Sequence, residues 1–424
     1  MAMTSPASTR RKAFRNVLIV SSGNFLEMYD FMVFGYYAKA IGQTFFPTQN
    51  ELASLMLALM TFGAGFLMRP VGALVLGAYI DRNGRRQGLL LTLALMGLGT
   101  LSIALMPGYA EIGLLAPLLI LASRLVQGFS AGVEVGGVSV YLAEIATPGR
   151  RGFTVAWQSA SQQVAVVFAA FVGMLLNLWL SPADIAGNGW RIPFVIGSLM
   201  VPFLFLIRRL LEESPGFDAT QPRPGFGALF GSIGANLAIV LAGMFTAVMT
   251  TVFFYMITAY TPTYGNSVLK LSAAGAMLVT LCVGAANFAL LPAMGALSDR
   301  IGRRPLLIGA ALAAILTGYP AMLWLVSAPS LERLLAVELW LALVYATYNG
   351  AMIVHLTEIM PRRVRTTGFS IAYSGATAVF GGFTPALATW LIAATGDKAI
   401  PGAWLSVAAA ISLAAVLLTR KGDA

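Results

Sequence analysis

Glu27, Asp30, Arg69, Arg124 and Glu134 are ionisable residues set inside stretches that are otherwise apolar. A charge at the centre of a hydrocarbon layer costs about 2.5–3.5 kcal/mol on insertion scales, so such groups mark ion or substrate handling, or pair with one another. Arg124 suits a carboxylate ligand because its planar guanidinium offers a two-pronged fork of donors. Gln127 follows one helical turn later, and Asn24 and Tyr29 supply neutral donors from the first apolar stretch. Tyr255, Asn287, Tyr348 and Asn349 stand at similar depths in the second half of the chain. Gln158, Ser159, Gln162 and Gln163 share one face at helical spacing. Together these residues read as a cradle for a small anionic carboxylate. Arg69 precedes Pro70, so it either joins the cradle, stabilises a kink or pairs with Asp30. The structural alternative for Arg124 is an ion pair with a neighbouring helix.

Protons are the second ligand these residues suggest. Low dielectric and a nearby arginine push a carboxylate's proton affinity in opposite directions, and a group balanced between them can load and unload. Asp30 is the first candidate and Glu27, almost one turn earlier, the second. Both have the permanent ion pair as their alternative. Glu134 lies in a glycine-rich stretch, where a charge pair is as natural as proton binding. His355 is the only histidine and titrates near neutral pH, so it either shuttles a proton or is simply hydrogen-bonded. Cys282 is the only cysteine, which rules out an internal disulfide. Nothing resembles a metal site, a nucleophile with its base or a phosphate loop, so neither an enzyme nor a cofactor is expected.

The elements that must position these residues follow from composition. The chain has 424 residues, 58% hydrophobic and 10% charged, against roughly a quarter charged in soluble domains. Apolar runs of about 20 residues match a bilayer's thickness, and helices satisfy their own backbone there. Twelve spans are predicted, near 16–41, 52–79, 88–107, 113–142, 154–180, 190–210, 234–261, 272–297, 305–327, 333–357, 368–394 and 400–419. The expected class is an all-α integral membrane protein. Of its 27 Lys and Arg residues, 20 fall on one side of this arrangement, five on the other and two inside spans. That bias puts both termini in the cytoplasm, and it makes the net charge of +10 a report of orientation, not of a nucleic-acid partner. The first apolar stretch contains Glu27 and Asp30 and leads into further spans, so it is read as an uncleaved helix, not a signal peptide.

The chain also repeats itself. Gly77, Asp81, Arg82, Gly84 and Arg85 follow the second span, and Gly295, Asp299, Arg300, Gly302 and Arg303 follow the eighth, at an offset of 218 residues. Glu144 and Glu358 occupy matching places before later arginines. The pattern reads as a gate: the first glycine allows close helix contact, the Asp faces an arginine or a helix N-terminus, and the second glycine turns the chain. The division is 1–211 for the first six-helix half, 212–231 for a polar linker and 232–424 for the second half.

The duplicated loop, with Arg124, Gln127, Gly128 and Gly132 in the fourth span, resembles the major facilitator superfamily over the whole chain. The segment 23–31 is similar to its metabolite:proton symporter branch. Segments 66–72, 124–137, 145–148, 157–163 and 260–265 resemble the citrate and tricarballylate members. The resemblance implies the major facilitator fold, alternating access, and uptake of a small tricarboxylate with protons. It also implies a bacterial cytoplasmic (inner) membrane and a functional monomer. His355 stands where the resemblance leads one to expect a small apolar residue, which bears on the exact substrate. A dicarboxylate, shikimate or betaine is the alternative cargo, and a drug/proton antiporter the alternative activity.

Overall fold

The computed structural model describes residues 25–132, 134–209, 234–361 and 365–419. The predicted linker at 212–231 lies outside them, as do Asn24 and the side chains of Asp81, Arg82, Arg85 and Glu134. We number the spans α1 to α12. The first covers 25–36 and Ala38–Phe45, α2 covers Glu51–Leu67 and Arg69–Asn83, and α3 covers Arg85–Leu105. Next come α4 (Leu115–Ala131 and Glu134–Ile145), α5 (Arg151–Trp179) and α6 (Ile192–Arg209). The second half holds α7 (Leu237–Val268), α8 (Ala273–Ile301), α9 (Arg303–Ser327), α10 (Leu331–Ile359), α11 (Arg365–Thr395) and α12 (Ile400–Leu418). Spans α2 to α12 are each long and apolar enough to cross a membrane. Leu118, Leu199, Leu316 and Leu418 each expose more than half of their surface, as lipid-facing positions do.

Besides α1, which turns at Tyr37, four spans depart from the regular helices that hydropathy suggests. α2 breaks at Met68, just before Pro70, which lacks the N–H that would continue the ladder. α4 breaks after Ala131, where Gly132 lies so close to α2 that a Cβ would come 2.2 Å from the Arg69 carbonyl oxygen. Gly128 makes a similar approach to Gly65, and Gly72 to Phe129. α2 and α4 therefore run backbone against backbone, which only small residues permit. That contact carries Arg69 and Arg124 into one region. α7 is wound as π-helix over Tyr255–Tyr260 and Tyr264–Val268, and α11 over Thr377–Gly381. Such windings are rare and gather at functional sites. The winding also carries α7 beyond its expected end at 261.

The two halves meet along several seams, these three among them. α5 lies against α8, where a Cβ on Gly295 would stand 2.5 Å from the Gly152 carbonyl oxygen. α1 lies against α7 at Gly35 and Ala259. α2 lies against α11, where Gly382 faces the Phe66 ring and Gly63 faces Phe383. Gly84 and Gly302 end α2 and α8 with φ of 93° and 94°, a region that a side chain makes costly. We call the face carrying these two turns the basic face.

Candidate functional site

α1 presents Glu27, Asp30 and Phe31 on one side at helical spacing. Opposite stand the arginines of α2 and α4. Arg69 Nη2 donates to Glu27 Oε1 at 2.5 Å, with both side chains nearly sealed from solvent. Arg124 Nη1 reaches Asp30 Oδ2 at 3.4 Å and donates to Gln127 Oε1 at 2.7 Å. Each arginine thus has its own carboxylate, and Arg69 does not pair with Asp30 as one reading of the sequence had it. The Phe31 ring lies between the two guanidiniums, 5.1 Å from Arg69 Cζ and 4.3 Å from Arg124 Cζ. Phe34 and Phe66 cover their outer sides at 4.5 and 4.7 Å. Such aromatic faces attract a cation most strongly when water is absent.

Arg124 is fully buried, yet its Nε and Nη2 have no partner among the described residues. These two nitrogens form one prong pair of the guanidinium fork, the pair that clasps a carboxylate side-on. A buried donor left unmade costs about 1–3 kcal/mol, so the chain maintains an unmet demand for acceptors at this point. Asp30 Oδ1 is likewise unpartnered. Tyr255, at the first π-winding of α7, stacks edge-on against Phe62 and Phe66 and lies within electrostatic reach of both arginines and Glu27. The structure adds Tyr373 of α11, which faces Arg69 and Glu27, and Phe31. Neither was singled out as a site residue in the sequence.

The remaining predicted residues fall into three groups. Gln158, Gln162, Gln163, Asn287 and Asn349 are buried, and all but Gln162 keep amide atoms without a partner. Tyr29 donates to the Pro193 carbonyl at 2.8 Å and Tyr348 to the Thr246 carbonyl at 2.8 Å, so both hydroxyls tie helices together. His355 lies on the basic face, in a cavity of about 820 Å³ that Asp299, Arg303, Arg304 and Glu358 also line. One buried carboxylate escaped the sequence reading altogether. Glu338 of α10 is 1% exposed, and the rule that singled out Asp30 applies equally to it.

The second gate loop joins the two halves. Asp299 accepts from the Gly152 and Phe153 backbone N–H groups at 2.8 and 2.9 Å, at the N-terminal end of α5. Arg303 braces it at 2.7 Å and reaches Glu358 at 3.2 Å. The second copy therefore clamps one half onto the other. In the first copy a Cβ on Gly77 would meet nothing within 4 Å, and Glu144 is exposed. Arg300 is exposed as well.

Residues 16–224 match the family described as "Sugar (and other) transporter", and residues 223–419 match it again. The chain belongs to this transporter family. It is a multi-pass membrane transporter and not an enzyme, and the two matches divide it near the predicted linker. A citrate-proton symporter of Salmonella typhi is 56% identical over 418 residues, covering 99% of this chain and 96% of that protein. A citrate-proton symporter of Klebsiella pneumoniae is 57% identical over 408 residues, covering 96% and 92%. The crystal structure of a D-xylose-proton symporter superposes with a TM-score of 0.77 at 19% identity, covering 96% of this chain and 97% of that one. That likeness speaks for the major facilitator fold alone.

Proposed function

We propose that this protein takes up citrate, or a closely similar tricarboxylate, together with protons. The observation that carries the reading is the free Nε/Nη2 fork of Arg124, buried beside an incompletely bonded Asp30. A carboxylate of the substrate would take the fork, and a proton on Asp30 would release Arg124 from its present partner. Coupling follows from charge: Arg69, Arg124, Glu27 and Asp30 are balanced as they stand, so an entering polyanion is compensated when the carboxylates take up protons. The relatives named citrate-proton symporters, alike over nearly the full chain, support the same substrate class. Gln127, Gln162, Gln163, Tyr255, Asn287 and Asn349 would complete the cradle.

In this reading the basic face is cytoplasmic, both termini lie inside, and the membrane is a bacterial inner membrane. The clamp of Asp299 on α5 then holds the cytoplasmic side shut. One copy of the chain is the working unit, because the halves supply both sides of the site. Uptake of labelled citrate by proteoliposomes under an imposed pH gradient tests the proposal. Accumulation that ignores the gradient would refute it.

A further inference from the structure

Glu338 stands at the eighth position of α10, about 10 Å along the helix from the end opposite the basic face. Its Oε2 has no partner, and no described cation lies within ion-pair distance of it. Tyr264 of α7 is the titratable side chain within its electrostatic reach, with Asp397 lying beyond that phenol. The Oε1 atom lies 2.9 Å from Thr261 Oγ1, which in turn lies 3.2 Å from the Met256 carbonyl oxygen. A hydroxyl has one proton, so Thr261 cannot donate to both oxygens at once. Both contacts are satisfied together only when the carboxyl is protonated and donates to Thr261, which then donates to Met256. An ionised carboxylate sealed here without a counter-charge is the costly alternative, and such groups neutralise instead.

Thr261 belongs to a short segment that shuts this end of the molecule. Tyr260 bonds Thr389 of α11 at 2.8 Å, Thr263 donates to the Gly35 carbonyl of α1 at 3.3 Å, and Tyr264 donates to the Lys398 carbonyl at 2.7 Å. Four neighbouring side chains thus hold four different elements, between the two π-wound stretches of α7. Pro262 and Thr263 also line a cavity of about 410 Å³ that opens on this face.

We propose that Glu338 is a proton-binding site of the external gate. With the proton bound, the segment 260–264 closes against α1; with it lost, the segment is released and the α1–α7 seam opens. The closed form holds one proton more than the open form, so acid outside favours closure and alkali opposes it. That proton is taken from and returned to the same side, and it is distinct from those carried with substrate. The sidedness rests on the orientation given under Proposed function.

The test replaces Cys282 by Ala and Ala259, in the α1–α7 seam, by Cys. Labelling by a membrane-impermeant thiol reagent from outside is then followed against external pH, in Glu338 and Glu338→Gln backgrounds. Thiol chemistry is the same in both, so the difference reports the gate. Labelling should rise with pH by up to about tenfold per unit more in the Glu338 background, and Glu338→Gln should stay slow. Coincident profiles would overturn the proposal. Thr261→Val provides an independent arm: it removes the relay and should label faster at acid pH, and an unchanged rate counts against the gate. Wild-type and Glu338→Gln should carry the same number of protons per citrate, and one fewer in the variant would assign Glu338 to the carried protons instead. Labelling needs no substrate, so a wild type that fails to couple citrate to protons would refute the proposed function separately.

Discussion

Arg124 and Asp30 meet across one 3.4 Å contact, while Gln127 accepts from the same guanidinium nitrogen at 2.7 Å. The stronger bond therefore goes to the neutral neighbour on the same helix, and the carboxylate is held loosely. Arg124 is oriented by Gln127 and its far prongs remain available. Arg69 is bound differently, by a short ion pair to Glu27. In the proposed function the two arginines divide the work: one fixes α1 to α2, and the other would receive the anion.

Arg124→Lys tests that division. A lysine keeps the charge but has no fork, so one charge-assisted hydrogen bond to the substrate is lost, about 1.5–3 kcal/mol. Initial uptake rates across citrate concentrations should show kcat/KM lowered roughly 10- to 150-fold, with protein levels in the membrane unchanged. Arg69→Lys should instead lower stability, because that guanidinium is sealed against Glu27.

Asp30→Asn should separate exchange from accumulation. The amide cannot lose a proton, so citrate/citrate exchange persists while accumulation driven by a pH gradient disappears. Counterflow and gradient-driven uptake in the same proteoliposomes distinguish the two. Accumulation that still follows the gradient would remove Asp30 from the coupling step.

Much of this architecture was legible in the residues. Run length placed most of the described spans to within a few residues, α7 excepted, because bilayer thickness fixes how much apolar chain a span needs. The 218-residue offset exposed the halves. Hydropathy could not show that α2 and α4 touch backbone to backbone, since that depends on which glycines face each other. For the same reason the partner of Arg69 was not decidable in advance. Glu338 was missed for a different cause: attention to the charges of the first four spans obscured a carboxylate that obeys the same rule in the tenth. Phe31 and Tyr373 carry nothing in sequence that distinguishes them from ordinary apolar and interfacial residues.

The clamp of Asp299 on α5 should hold one end of the seam between the halves closed. Asp299→Ala removes acceptors from the Gly152 and Phe153 N–H groups and the partner of Arg303. Each lost charge-assisted bond is worth about 1.5–3 kcal/mol, and in the proposed orientation the closed cytoplasmic side should be depopulated at least tenfold. Thiol labelling from the inside, at a cysteine replacing Ala156 in the α5–α8 seam, would follow it. Equal accessibility before and after the change would mean that the clamp contributes nothing.

Gly302→Ala should destabilise the protein by about 1–2 kcal/mol through its left-handed backbone alone. Gly84→Ala should cost the same, since its φ is nearly identical. Thermal unfolding in detergent would compare the pair, and a clear inequality would show that one turn is reshaped in the membrane.

The most direct measurement is initial-rate uptake of labelled citrate into proteoliposomes with an inward proton gradient, against a panel of unlabelled competitors. Tricarboxylates such as citrate and tricarballylate should compete, betaine should not, and collapsing the gradient should abolish accumulation. Competition by betaine alone, or citrate uptake that persists undiminished without the gradient, would contradict a proton-coupled carboxylate site built on Arg124 and Asp30.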